Sequence, residues 1–559
     1  MNALLFGRDR FRPSAVTVAA LAGLAVIAST GSPSGAATKS KAKVSPSKVA
    51  PSKATSTTTA ARAASPAPST TVPSTTAAPL GKMVVGVSAE LPGLDPAAVS
   101  RDISLDPVST AIYEELMDLQ IGKPPRPYLA ELLTEAPDRR SWTLQVRDGV
   151  RFHDGTSLTA DAVKVNLERQ RKSRTFGQSM VIIKSVDVTG PLTVKLSLDR
   201  PYASLPYLLG GTVGLMISPK AISEKADRLN REPTEAGTGP YVLKDFVPGD
   251  YSTVVRNPNY WGNPKPRLDQ ITFRMIPDES ARYAALRAGD VQTMLTILPA
   301  TVNRARADGF SIIDPPTAGS GAIMFNNSKP PFNDVRIRRA AALARNGRAL
   351  AELIEDTAFD RQGFGLWPKD SPWFSPVGHD WSYDRAEAKR LVASYTAETG
   401  RDVSFTYLNL GLSASGIDSA RLTVRYWQDA GMDVKLQILP DVNQFALALL
   451  TGQYQAAAWL VALQQDPDAT AYPVLSSTST GNFARYKSVE MDTALENGRN
   501  AADVEGRKAA YTEVQRLFRR DVPFIVTSLG TLHLISSKTV CGLDDLGGFS
   551  ARTVGLGNC

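Results

Sequence analysis

The sequence predicts a mixed α/β fold in more than one domain, on three observations. Its 559 residues exceed the roughly 250–300 over which one hydrophobic core keeps growing. From residue 82 onward, alternating strand-like runs are interspersed with runs of helical spacing. A helix–Gly–strand unit then occurs twice, over 382–408 and 419–439, the pattern of a crossover-built sheet in a second lobe.

The elements follow in order. "KMVVGVSAEL" (82–91) predicts a strand from its β-branched run. "SLDPVSTAIYEELMDL" (104–119) predicts a helix with Ile112, Leu116 and Leu119 on one face. "SWTLQVRDGVRFHDG" alternates Trp142, Leu144 and Val146 around two turns, Asp148-Gly149 and Asp154-Gly155. His153 beside Asp154 invites a catalytic reading, but the stretch reads as a strand-to-helix corner. Phe152 is its apolar anchor, and Thr159 the N-cap of a helix carrying Val163, Val165 and Leu167. "LTVKLSL" (192–198) is another strand. In "GTGPYVL" (237–243) the glycines are read as supplying backbone angles that other residues disfavour, with Pro240 fixing entry to a strand. Tyr260 and Trp261 are read as covering a core edge. A helix begins near Asp334, breaks at Asn346-Gly347, and resumes with Asn346 as N-cap; a later one ends at Gly400.

Charge narrows the function classes. The formal net charge is +8, and residues 1–80 supply all of it, with nine Lys/Arg against Asp9 alone. The remainder is neutral, so no basic face for nucleic acid is visible. Residues 1–37 read as an export signal: Arg8, Arg10 and Arg12, then an uncharged apolar run (15–30), then small residues near Ala36 and Ala37. An uncleaved anchor is the alternative. Residues 38–80, rich in Ala, Ser, Thr, Pro and Lys, read as a disordered, extended linker. The two cysteines, Cys541 and Cys559, suggest one disulfide in an exported chain, two free thiols being the other reading. Three scattered histidines (153, 379, 533) and two cysteines give no metal-ligand spacing, and no cofactor is expected. GxSxG, HExxH and P-loop motifs are absent.

Four stretches carry a family resemblance. They are "PYLAELLTEAPDRRSWTLQVRDGVRFHDGTSLTADAVKVNLER", "GTGPYVLKDFVPGDYSTVVRNPNYWG", "ITFRMIPDESARYAALRAGDVQTM" and "MFNNSKPPFNDVRIRRAAALA". In this order they resemble the signatures of the extracellular solute-binding proteins, family 5, of peptide/nickel-type ABC importers. The likeness spans nearly all of 82–540. It implies a two-lobed α/β fold of the periplasmic-binding-protein type II class. Lobe I would be 81–313 with 529–559 returning to it, lobe II 314–528, and hinge bending would enclose a ligand between them. It also implies a monomer that captures a peptide or other small organic solute and presents it to ABC importer membrane subunits. A sensor without a transporter, or a hydrolase, is the alternative.

The resemblance assigns site residues as well. Peptide-binding members hold the peptide ammonium with an acid three positions after a tryptophan. Here Trp459 stands at the tryptophan and Ala462 at the acid, with Leu460 between them; Asp466 and Asp468 follow as loop acids. A buried cation would lack its partner at Ala462, so an ordinary free-amino peptide fits poorly. The facing rim would be Ser100, Arg101 and Asp102, where Arg101 either binds a carboxylate or pairs with Asp102. No histidine falls in the pocket segments, against a nickel-chelate ligand.

Overall fold

In the computed structural model the described residues are 81–558, apart from 89–92, 99–106, 121–122, 314–318, 354–364, 370, 378–381, 412–413, 440, 462–465, 531–532 and 543–556. The export signal, the linker, Ser100, Arg101, Asp102, Ala462 and Cys559 therefore lie outside the described residues.

Two large sheets organise the chain. The first has seven strands in the order Ser311–Ile313, His533–Ser536, Thr293–Thr296, Lys82–Val87, Gln270–Met275, Tyr251–Arg256, Tyr241–Val247. The second has five: Asp433–Ile438, Ser404–Asn409, Ala456–Val461, Gly319–Phe325, Phe524–Gly530. The chain passes from the first to the second between Ile313 and Gly319, and back between Gly530 and His533. A four-stranded antiparallel sheet (Ala130–Glu135, Ser141–Val146, Thr193–Leu198, Ile183–Gly190) belongs to the first half.

Period-2 alternation places the cores. In the strand Gly319–Phe325, Ile323 and Phe325 enter a core with Trp427, Phe405 and Ala340. Ala322 and Met324 enter another with Trp367, Tyr511 and Phe518. The five-stranded sheet is thus covered on both faces, as its parallel pairs Ser404–Asn409 with Asp433–Ile438 and with Ala456–Val461 require.

Several local signals act as read. Thr159 accepts from the Ala162 N–H and starts the helix Ala160–Lys172, whose Val163 and Leu167 are buried. Val165 is 40% exposed, because two residues along a helix turn a side chain to the opposite face. Gly149 and Gly155 hold φ of 76° and 80° in their turns. Asn346 caps the helix Gly347–Leu353 through the Ala349 N–H (3.1 Å). Gly400 ends the helix Arg385–Thr399 with φ 63°.

Two expectations are corrected. The described helix in 104–119 is only Pro107–Ile112. Beyond it the backbone is taken by partners distant in sequence: the Leu116 N–H donates to the Gly214 carbonyl (3.0 Å), and the Leu116 carbonyl accepts from Ala130 N–H (2.8 Å). Ile112 and Leu116 consequently enter different cores. In "GTGPYVL", neither Gly237 nor Gly239 has positive φ. Both are glycine for close approach, since a Cβ on Gly237 would collide with the backbone of Ile112, and one on Gly239 with that of Ala111 and Ile112.

Candidate functional site

The corner at His153 is scaffold. Its Nε2 pairs with the Gly239 carbonyl (2.9 Å), and its backbone N–H donates to the Gly237 carbonyl (2.7 Å). Burial pulls the imidazole down to about 4, against the Gly239 bond and the Asp154 charge, so the ring is neutral at pH 7. Asp154 accepts from the Thr156 N–H (2.9 Å), the Thr156 hydroxyl (2.5 Å) and the Ser218 hydroxyl. The corner therefore ties the "RFHDGT" segment to the "GTG" segment and holds no paired acid and base open to a substrate. Tyr260 and Trp261 do cover a core edge, through a partner the sequence did not reveal. Buried Glu114 accepts from Tyr260 (2.7 Å), Trp261 Nε1 (2.7 Å) and Tyr128. Burial raises its carboxyl above the usual range, and these three donors oppose that rise.

Trp459 and Leu460 sit near the end of the strand Ala456–Val461, opposite Ala322 and Gly321. Trp459 is partly buried: its ring meets Phe483 edge-on at 5.4 Å, and it packs against two separate cores. Leu460, one position on, points to the other face and is 43% exposed. These two are the described members of the sequence-assigned site, so whether Ser100, Arg101, Asp102 and Ala462 face them lies outside the described residues.

Five residues after Val461, the chain enters a polar network that sequence reasoning treated only as loop acids. Asp466 caps the helix Pro467–Leu475 by accepting from the Asp468 N–H (3.0 Å) and is fully buried. Arg507, on the helix Val504–Asp521, donates to its Oδ2 (2.6 Å). From the first half of the chain, the Ser204 hydroxyl donates to its Oδ1 (2.9 Å) and accepts from Arg507 (3.0 Å). Ser204 begins the short helix Leu205–Leu209 without capping it, which leaves its hydroxyl for this role. Burial raises the Asp466 carboxyl; Arg507, the Ser204 hydroxyl and the pair geometry favour its ionised form.

A second pair lies beside the first. Arg499 donates to Asp468 (2.7 Å) and stacks on Tyr472, 3.6 Å from the ring centroid. Tyr202 is buried beside Asp468, and burial together with that carboxylate raises its phenol well above the usual range. Arg139 donates to the carbonyls of Asn500 (2.8 Å) and Ala501 (2.6 Å). Ser204, Tyr202 and Arg139 neighbour the four-stranded sheet, whereas their partners surround the five-stranded sheet. The two halves therefore meet through charged groups that pair within one half and are completed by the other. Such a contact can be hydrated and remade without exposing an apolar core, which suits reversible closure. The sequence signal available was "DPD", an N-cap followed by proline at the first helical position; its arginine partners lie 31 and 41 residues on and carry no local pattern. Among the described residues, no group of three or more His, Cys, Asp and Glu side chains is placed to hold a metal ion.

Comparison with known proteins bears on the family and the fold. The sequence profile of the bacterial extracellular solute-binding proteins, family 5, matches residues 124–482. The glutathione-binding protein GsiB of Salmonella paratyphi A is 25% identical over 477 residues, covering 82% of this chain and 91% of the relative. Among solved structures, DppA of Helicobacter pylori in complex with the peptide STSA superposes with a TM-score of 0.75 at 21% identity, covering 86% of this chain and 98% of that one. NikA of Brucella suis in complex with Fe(III)-EDTA gives 0.76 at 21% identity, covering 86% and 100%. With the profile match extending over more than half of the sequence and the two-lobed α/β architecture shared with these structures, the chain belongs to the bacterial extracellular solute-binding proteins, family 5, the solute-binding components of ABC importers.

Proposed function

We propose that the protein captures a peptide-like or other small organic solute between lobe I (81–313 with 529–559) and lobe II (314–528), outside the cytoplasm. The observation that carries this reading is the interlobe network of Ser204, Asp466 and Arg507, which follows closely on the strand bearing Trp459 and Leu460. A solute that engages Trp459, Leu460 and Ala462 from lobe II, and Ser100, Arg101 and Asp102 from lobe I, favours the lobe arrangement in which this network is complete. GsiB's glutathione and the peptide held by DppA support a peptide-like ligand class. Ala462, lacking a carboxylate, favours a solute that presents an amide or alkyl surface there.

The protein acts as a monomer, by binding and not by catalysis. It is exported by its first 37 residues and carried on the 38–80 linker, with membrane anchorage by an uncleaved signal as the variant arrangement. A Cys541–Cys559 bridge closes the C-terminus. Val540–Cys541 pairs with Gly557–Asn558, placing Cys541 opposite Gly557 two positions before Cys559. Mass spectrometry of alkylated protein with and without reductant tests the bridge, and labelling of both thiols without reduction rules it out.

The test of the main reading is a thermal-shift screen across peptides and small metabolites. A solute at 100 times its Kd stabilises the folded protein by about 2.7 kcal/mol. A screen in which nothing raises Tm, or in which the bound compound is recovered as a turnover product, removes the reading.

A further inference from the structure

The helix Val489–Asn500 takes donors for its last carbonyls from the other half of the chain. The Ala203 N–H donates to the Arg499 carbonyl (3.3 Å), Arg139 Nη1 to that of Asn500 (2.8 Å) and Arg139 Nη2 to that of Ala501 (2.6 Å). Arg200 adds a long ion pair to Glu496 on the same helix (3.9 Å), exposed enough to be worth little. Other helices of this half are closed by their own chain. Arg385–Thr399 and Val504–Asp521 turn left-handed at Gly400 and Val522, whose N–H groups bond back to the Thr396 and Phe518 carbonyls. After Asn500 the chain leaves with φ −58° and ψ 142° at Ala501, and residues 502–506 are exposed. The carbonyls at such an end carry the negative pole of the helix, which a guanidinium complements.

Arg139 reaches across at a cost to its own backbone. It lies in the turn between the strands Ala130–Glu135 and Ser141–Val146, where its N–H donates to the Ala136 carbonyl (2.8 Å) and its φ is 57°. A residue with a Cβ rarely adopts that conformation, whereas glycine adopts it freely. Glu135 accepts from Arg139 Nε (3.3 Å) and so orients the guanidinium, whose two remaining nitrogens extend to the helix end. Glycine would serve the turn better, so the arginine is explained by what its side chain reaches.

We infer that Arg139 is a positioning residue for closure: lobe I caps the carboxyl end of the helix Val489–Asn500 in trans, so its last turn is ordered while the lobes are together and frays when they part. The inference rests on the two-lobe closure proposed above. Opening hands the carbonyls of Arg499, Asn500 and Ala501 to water, and a helix end stripped of its partners is the first part to unwind. Closure is thereby registered as local order at residues 498–501. By linkage the coupling runs both ways, and whatever orders this turn also favours the closed arrangement.

The test is hydrogen exchange read by mass spectrometry on the full chain, beside energy transfer between one dye on each lobe. Arg139→Gly keeps the turn, since glycine accepts a φ of 57°, and removes the guanidinium. It should lower the ratio of closed to open molecules about tenfold and speed amide exchange at 498–501 by a similar factor, with the denaturant midpoint unchanged or raised. Arg139→Lys returns a cation without the two-pronged fork and should recover part of both effects. Ser204→Ala, whose lost hydroxyl bonds neither Arg139 nor this helix, should speed exchange at 498–501 in proportion to the opening it causes. The helix Ala160–Lys172 should exchange alike in all of them. Unchanged exchange at 498–501 in Arg139→Gly, or in a Ser204→Ala protein whose lobes have parted, overturns the inference and leaves lobe closure standing. A lower denaturant midpoint with an unchanged inter-lobe distribution assigns Arg139 to the fold and overturns it too. A single inter-lobe distance in every variant removes the closure reading itself, and the inference with it.

Discussion

Replacing Ser204 by alanine separates closure from folding. The hydroxyl donates to Asp466 (2.9 Å) and accepts from Arg507 (3.0 Å), and the residue is 1% exposed. A hydrogen bond to a charged group is worth about 1.5–3 kcal/mol. Asp466 and Arg507 keep each other at 2.6 Å, and Asp466 keeps the Asp468 N–H. The net loss in the closed arrangement is therefore nearer about 2 kcal/mol than the sum of two such bonds. When the lobes part, water replaces both bonds in wild type, so nearly all of this loss falls on the closing equilibrium. At 1.4 kcal/mol per tenfold, the ratio of closed to open molecules drops about 30-fold. Single-molecule energy transfer between one dye on each lobe reads this ratio directly, alongside denaturant unfolding of the same variant. If the inter-lobe distance distribution stays unchanged while unfolding free energy falls by about 2 kcal/mol, Ser204 serves the fold and the closure reasoning is wrong.

Other consequences are equally direct. Trp459→Ala removes a partly buried ring that meets Phe483, so about 2 kcal/mol of stability goes, below the 3–5 of a fully buried tryptophan; solute affinity measured by calorimetry falls with it, and unchanged affinity removes Trp459 from the site. For His153, the folded pKa of about 4 lies below the unfolded value near 6.5. The unfolded chain takes up the proton first, so the stability contributed by the neutral ring is present above pH 6.5 and is lost on acidification toward pH 4. Partial exposure reduces the effect to about 1–2 kcal/mol, and denaturant titrations from pH 7 to 4 should show that much extra loss in wild type over His153→Gln. Parallel curves for the two proteins would count against it. Gly237→Ala forces a Cβ into the Ile112 carbonyl and should cost more than about 3 kcal/mol or prevent soluble expression. Gly155→Ala meets open space and pays only for its φ of 80°, about 1 kcal/mol; comparable yields and melting temperatures for the two would refute the close-approach argument.

The local elements were legible because their causes are local. Thr159, Asn346 and Gly400 bound their helices by bonding or freeing backbone within a few residues. The alternation of Trp142, Leu144 and Val146 marks a strand whichever sheet it joins. The four signature stretches identify the family for a related reason: each keeps residues that a recurring backbone arrangement demands at fixed spacing.

Tertiary structure decided what depends on partners far along the chain. It ended the helix at Ile112, because Gly214 and Ala130 claim the backbone at Leu116. It made Gly237 a packing glycine and not a turn glycine, because the Ile112 carbonyl lies against it. It paired Asp466 with Arg507, 41 residues on, and with Ser204, 262 residues away, and no periodicity encodes either partnership. By itself the sequence determined the family, the mixed α/β class and the neutral folded body, since these follow from pattern and composition. Which polar groups close the two halves on each other was decided only by the fold, because a buried charge is tolerated only where distant chain segments converge to satisfy it.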